Sequence, residues 1–316
     1  KIIVAGRRTT QWFISYLNDR SSKVEVGAGS SEEWISETGV IQGGALSPDN
    51  YNVMSISQPL WLRRTHEDVP LIVYADDGIG VVWGDTVEEC EIKAQEVANE
   101  LAFWFKSVGL CLNAKKSEVV GIGFTPRPLQ IGEEYVMPTK KIKFLGCHIQ
   151  SNLGWDNHVE EVSKYIRISA ARIRNEGRHL CVHERIILYN SWVKGKLLSN
   201  GEVYLNHLNK SQIAKLQSAC NSAIRAVSGI PKRSTHSISD IRKKLNLQSV
   251  EEIIRNVFLL CGWSLQPKEQ AHNGPKTRAK TNMNTRVNGN IKYITSRTLA
   301  QKAWNTLPTQ IKCEKD

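Results

Sequence analysis

No stretch of this sequence holds about 18 uninterrupted apolar residues, the length that spans a bilayer. The opening residues, Lys1 to Thr10, lack the apolar core and small-residue cleavage site of a secretory signal. Both gaps predict an intracellular chain, in the nucleus, the cytoplasm or both, with no membrane partner. Cysteine is scarce in organisation: Cys90, Cys111, Cys147, Cys181, Cys220, Cys261 and Cys313 are odd in number, scattered and never arranged as CxxC. That pattern indicates neither a disulfide framework nor a zinc cluster, and reads as reduced core thiols. Internal repeats and long low-complexity tracts are also missing. What remains is ordinary for a globular protein: 316 residues, 41% apolar and 23% charged, with room for two or three domains.

Charge is divided along the chain. Residues 1–163 hold 15 Lys and Arg against 22 Asp and Glu, whereas residues 164–316 hold 27 against 9. An acidic half that can gather carboxylates around cations is joined to a basic half that can grip a phosphate backbone. Charge alone leaves open a basic solvated surface that binds polyanions without specificity.

Composition shifts near residue 150 and again near 264, predicting regions 1–150, 151–232 and 233–316. The first mixes a helical pattern (Trp12 to Leu17) with short β-rich runs at Val69 to Tyr74 and Ile79 to Trp83. Thr86-Val-Glu-Glu89 is a capping box, and Ala94, Val97, Leu101, Phe105 and Val108 follow at helical spacing up to Gly109. Further strands are expected at Glu118 to Phe124 and Lys141 to Ile149. From 156 to 229 the pattern is helical throughout: Val159, Val162, Ile166, Ala170 and Ile173 recur at three and four, as do Ile213, Leu216, Cys220, Ile224 and Val227. Between them lies Glu184 to Leu198. Lys164, Arg167, Arg172, Arg174, Arg178, Lys194 and Lys196 sit on the polar faces, giving a basic helical bundle. Gln266 to Asn290, rich in Lys, Asn, Thr and Gly without apolar periodicity, reads as a linker or mobile stretch, and a short apolar element follows at Thr298 to Ile311.

The sharpest chemical feature is Tyr74-Ala75-Asp76-Asp77, set between Leu71-Ile-Val73 and Ile79-Gly-Val-Val-Trp83. Burying carboxylates is costly unless they are paired or bind a metal, so two acids at the tip of a core hairpin imply a cation or a strong functional demand. Taken alone, the pair is also compatible with a hydrogen-bonded turn completed by Gly78. Upstream, the Gly-rich Gly39-Val-Ile-Gln-Gly-Gly-Ala-Leu-Ser-Pro48 lets backbone approach a ligand closely. Downstream come Gly109-Leu-Cys-Leu-Asn113 with Lys115, Lys116, Ser117 and Glu118, then Lys143-Phe-Leu-Gly146.

This ordered set resembles the reverse transcriptase of non-LTR (LINE-type) retrotransposons, whose blocks run GxxQGxxLSP, YADD, GLxLNxxKT/SE and KFLG. Trp12 to Arg20 resembles the WxxSYLxxR segment that precedes them, and Ala303-Trp-Asn-Thr-Leu-Pro308 is similar to a WNxLP element seen late in such proteins. The resemblance implies an α+β polymerase palm, an antiparallel sheet centred on the YADD hairpin with helices on one face, followed by an all-helical thumb-like region. It implies an RNA-directed DNA polymerase, a nucleotidyltransferase working on an RNA template, a DNA primer or target and dNTPs. Asp76 and Asp77 match the paired acids that hold Mg²⁺ at a two-ion site, with ions about 3.5–4 Å apart. Lys116 matches a lysine that neutralises or protonates the leaving pyrophosphate, with a surface lysine beside Glu118 as the plain reading. Gln42 and Gly43 match the block contacting template and incoming nucleotide, and Tyr74 and Ala75 flank the nucleotide sugar and primer end. Phe144, Leu145 and Gly146 match the primer-grip hairpin, with strand packing as the plain reading of the first two.

The family carries a further aspartate upstream of the WxxSYLxxR segment, whereas the first acid here is Asp19. The expectation is therefore a C-terminal piece with an incomplete two-ion site. A different class of function, a catalytically inactive remnant that only binds RNA or RNA–DNA duplex through its basic half, is the second reading.

Overall fold

The computed structural model describes residues 6–36, 39–231 and 235–264. The chain divides into two compact units, Lys1–Lys140 and Lys141–Asp316.

The first unit opens with α1 (Arg7–Leu17). A long hairpin follows, in which β1 (Arg20–Ser22) pairs with β4 (Trp34–Ser36) around β2 (Glu25–Val26) and β3 (Gly29–Ser30). Next come α2 (Ser47–Ser55), α3 (Ser57–Thr65), and the antiparallel pair β5 (Leu71–Tyr74) and β6 (Asp77–Gly80). Then α4 (Val87–Ser107) leads to a hairpin of β7 (Leu129–Ile131) and β8 (Glu134–Val136). Helix α4 starts where its capping residues say it should: the Thr86 hydroxyl accepts the Glu89 N–H at 3.1 Å. The reciprocal bond shifts back by one residue, Glu89 accepting from the Asp85 N–H at 2.9 Å. Gly109, at φ +74°, closes the helix, and the Leu110 N–H returns to the Phe105 carbonyl. Leu62, Val69 and Val97 form a small core joined by Leu71, Val82 and Leu101. Trp104 is buried beside it and donates its indole N–H to the Ser57 hydroxyl.

The expected palm sheet is not one sheet among the described residues. Five separate two-stranded antiparallel ladders stand in its place, and the YADD hairpin pairs only with itself. Mixed helices and antiparallel strands agree with α+β at the coarse level. The strand expected at Glu118 to Phe124 is absent, leaving a single bridge between Val119 and Pro138. Gly121 is why: a Cβ there would lie 2.5 Å from the Phe124 carbonyl oxygen, so the chain folds back at this point instead of extending. Gly123, at φ +81°, continues the bend.

The second unit begins with the hairpin of β9 (Lys141–Phe144) and β10 (Cys147–Gln150). The break thus falls before the compositional shift near 150, because this hairpin is bonded to the helices that follow it. Helix α5 (Asp156–Asn175) comes next. A rod then runs from α6 (Val182–Leu188) through a π-helical stretch, Tyr189–Lys194, into α7 (Gly195–Leu198). The remaining elements are α8 (Gly201–Tyr204), α9 (Lys210–Ser228), α10 (Ile238–Lys244) and α11 (Val250–Ser264). Helices α5 and α9 pack in parallel, with Gln212 bonded to Asp156 at 2.7 Å and Lys215 ion-paired with Glu160. Their apolar stripes behave as the spacing predicts: Val159, Val162, Ile166, Ile173, Leu216, Cys220, Ile224 and Val227 are all buried in one continuous core.

The thiols divide. Cys147, Cys220 and Cys261 are buried, and burial pushes the Cys220 thiol up to about 12, but Cys111 and Cys181 are exposed, against the expectation of core thiols. The stretch Gln266 to Asn290 and the elements at Thr298 to Ile311 and Ala303 to Pro308 lie outside the described residues.

Candidate active site

The YADD hairpin is a two-residue loop closed by the cross-strand pair Tyr74 and Asp77. Its first loop residue, Ala75, takes φ +50°, a left-handed conformation that costs a side-chain-bearing residue about 1–2 kcal/mol. The second loop residue is Asp76, and Asp77 opens β6, so both acids belong to the tip of the hairpin. Alternation sets the faces: Leu71 turns toward the small core, while Ile72 and Tyr74 stand exposed on the other face, Tyr74 at 66%. The hairpin is therefore half open rather than buried, and both acids are exposed. This corrects the premise that burial forces a cation on them. Their adjacency and exposure instead leave the oxygens accessible.

The glycine-rich block forms a turn and a helix start. The Gly44 N–H bonds the Ile41 carbonyl at 3.1 Å with Gly43 at φ +81°, the geometry of a type II turn whose central residues are Gln42 and Gly43. Both are exposed. The Ser47 hydroxyl bonds back to the Ile41 carbonyl, and Pro48 opens α2. The WxxSYLxxR segment holds this turn: Arg20 bonds the Leu17 carbonyl at the end of α1 and the Gly39 carbonyl, each at 2.8 Å. The Tyr16 hydroxyl lies 3.1 Å from where a Cβ on Gly44 would be. Tyr51 on α2 feels the hairpin: its hydroxyl is pushed up first by burial and then by the charge of Asp76.

Lys116 ends a short 3₁₀ turn, Ala114–Lys116, capped by Asn113, whose side chain accepts the Lys116 N–H at 3.2 Å. Its side chain is exposed, and among the described residues no ion pair joins it to Asp76 or Asp77. The neighbouring Lys115 reaches Glu134 at 3.5 Å.

Phe144, Leu145 and Gly146 occupy the β9–β10 hairpin in the second unit. Leu145 and Gly146 are its two loop residues, both left-handed at φ +45° and +80°. Helical neighbours fix this hairpin. Asn200, itself at φ +57°, donates its amide to the Leu145 carbonyl at 2.9 Å, and the Asn157 N–H reaches Gln150 at 2.8 Å. His158 lies against it, 2% exposed and edge-on to Tyr204 at 4.4 Å. Burial first, then the charges of His148 and Lys196, lower its imidazole to about 4. Sequence reasoning missed Tyr51, Asn200 and His158, since none carries a local spacing signal.

Adjacent exposed carboxylates offer hard oxygens of the kind Mg²⁺ takes, and Mg²⁺ is commonly held by one or two carboxylates plus substrate phosphates. Among the described residues no group of three metal-ligating side chains gathers. Asp76 and Asp77 therefore fit a site completed by substrate oxygens or further ligands. An exposed pair of acids at a hairpin tip fits the phosphoryl-transferring polymerase class.

Residues 4–149 match the family described as reverse transcriptase (RNA-dependent DNA polymerase). It is 23% identical over 261 residues to the RNA-directed DNA polymerase from mobile element jockey of Drosophila melanogaster, covering 77% of this chain and 27% of that protein. It is 26% identical over 161 residues to the probable RNA-directed DNA polymerase from transposon X-element of the same organism, covering 50% and 18%. The chain thus spans about a quarter or less of the curated relatives it matches.

Proposed function

We propose that this chain is the part of an RNA-directed DNA polymerase that carries the YADD metal ligands, with residues 1–150 as palm, residues 151–232 as a helical thumb and residues 233–316 as a basic C-terminal region. The observation that carries the reading is the exposed Asp76–Asp77 pair at the tip of a fixed two-residue hairpin within the matched segment. Asp76 and Asp77 would hold Mg²⁺, which supplies charge neutralisation at the reacting phosphate and lowers the barrier to nucleophilic attack by the primer 3′-hydroxyl. Tyr74 and Ala75 flank that centre, where the nucleotide sugar and primer end would lie. The turn at Gln42 and Gly43, stripped of side-chain bulk at the glycine, lets template and incoming nucleotide approach backbone closely. Phe144, Leu145 and Gly146 form the primer grip on a loop locked by Asn200. Lys116 neutralises the pyrophosphate as it leaves. RNA template, DNA primer or target and dNTPs are the partners, and residues 164–316 hold the duplex by phosphate contacts. Work on chromosomal DNA puts the protein in the nucleus after synthesis in the cytoplasm. The basic run Arg242-Lys-Lys244 lies within helix α10, a poor presentation for a linear nuclear signal.

RNA-templated primer extension by residues 1–316 with Mg²⁺, beside an Asp76→Ala/Asp77→Ala double variant, tests this. Extension that disappears in the double variant means the metal site is completed in cis or by a second chain. A folded chain that binds primer–template without extending it would leave the binding function alone.

A further inference from the structure

The corner between α10 and α11 lies downstream of the matched segment and carries a cavity of about 350 Å³. Its lining brings together Arg242, Lys243 and Arg255 with the amides of Asn246, Gln248 and Asn256. One acid, Glu252, is present.

The frame under this cavity is rigid, for reasons visible in its caps. Asn246, at φ +52°, ends α10 in a Schellman arrangement: the Leu247 N–H bonds the Arg242 carbonyl at 3.0 Å and the Asn246 N–H bonds the Lys243 carbonyl at 3.1 Å. Three residues later Ser249 caps α11, accepting the Glu252 N–H at 3.2 Å, and Glu252 returns the bond to the Ser249 N–H at 2.6 Å. The Val250 N–H is tied to Gln217 of α9 at 2.8 Å, and Ile241, Val250, Ile253 and Val257 are buried beneath. Each helix end is satisfied by its own cap, so none of the three cations is needed to cap it. Among the described residues no ion pair within 4.0 Å takes up Arg242, Lys243 or Arg255. Glu252 is committed to the cap, and the Ser249 bonds, with Arg242 and Arg255 beside it, hold its carboxyl below the usual range. The cavity keeps a net positive charge, with planar guanidinium forks and amide donors. That combination suits tetrahedral oxyanions.

We infer that the α10–α11 corner is a preorganised seat for the backbone phosphates of a polynucleotide, in addition to the diffuse attraction of the basic half. This rests on the polymerase reading only in supposing that unit two meets nucleic acid. A chain of phosphodiesters is favoured over a free nucleotide because the lining has no aromatic ring to stack on a base. Phosphates, unlike bases, need only the cations and amides found here.

The test is binding of a fluorescently labelled RNA–DNA hybrid to residues 1–316 across a salt series, comparing wild type, Arg242→Gln/Arg255→Gln, and the charge-matched pair Arg167→Gln/Arg172→Gln on α5. The pocket pair should lose about ten-fold in affinity and flatten the log K against log salt slope by about 1–2. The α5 pair should lose less than about three-fold. Arg242→Lys/Arg255→Lys, which keeps the charge but loses the guanidinium forks, should bind between wild type and the Gln pair and guards against loss of folding. Equal losses in the two Gln pairs would overturn the seat and leave a general basic field. Displacement of the hybrid by millimolar inorganic phosphate at constant ionic strength would also overturn it, in favour of a free-anion site. A wild type without salt-dependent binding would instead overturn the role given to the basic half, a separate failure.

Discussion

Asn200 shows how much a single residue far from the acids contributes to local geometry. Its left-handed backbone places the amide on the Leu145 carbonyl, and Gly146 packs 3.6 Å from that nitrogen through its would-be Cβ. Asn200→Gly keeps the conformation and removes one bond, so it should cost about 1 kcal/mol. Asn200→Ala adds left-handed strain and should cost about 1–2 kcal/mol more. Chemical denaturation ranks the two, and equal costs would mean the backbone conformation is unimportant. His158 gives a pH dependence whose sign follows from its depressed imidazole. The unfolded chain takes up the proton near the ordinary value of about 6.5 and the folded one only near 4. The stabilisation is therefore complete above about 6.5 and is lost as pH falls toward 4, by up to about 3 kcal/mol. His158→Leu should flatten that slope in unfolding measured across pH. Asp76 and Asp77 were legible in the sequence because adjacent acids between apolar runs are a local pattern. Asn200, Tyr51 and His158 were not, because their partners are distant in sequence and leave no periodic mark.

At the scale of elements, the turn at 41–44 depends on two glycines for different reasons. Gly43 needs its positive φ and has open space around it, whereas a Cβ on Gly44 would sit 2.7 Å from the Ser47 hydroxyl and 3.2 Å from the Ile41 carbonyl. Gly43→Ala should cost about 1–2 kcal/mol through strain alone. Gly44→Ala should in addition break the Ser47 bond and raise amide exchange at Gly44 and Ser47. Slow exchange at both amides in Gly44→Ala would mean the turn is held by something else. Long helices were legible because α4, α5 and α9 repeat their apolar residues over many turns, and α4 and α9 also carry their own caps. Strands were less so. Runs of three or four residues pair with whatever lies opposite, and at 118–124 two glycines turned an apolar run into a bend. The YADD and KFLG hairpins, by contrast, formed around two-residue loops.

For the whole molecule, the charge division is read directly from the sequence, and the two compact units part at Lys140, ahead of the β9–β10 hairpin that bonds to the helices after it. Unit one keeps only a small core and exposes Val26, Trp34, Ile35, Ile72, Tyr74 and Trp83. Exposed apolar rings and unpaired strand edges should make residues 1–316 self-associate when isolated. Sedimentation of a clean monomer at micromolar concentration would contradict this. The central claim is that the YADD carboxylates carry the chemistry. Its most direct test is RNA-templated extension by the full-length polymerase bearing Asp76→Asn, run beside binding of the same primer–template. The account predicts that extension is abolished while binding stays within a few-fold, since the change removes a charge and almost no volume. Extension at the wild-type rate would contradict the assignment of Asp76 as a metal ligand.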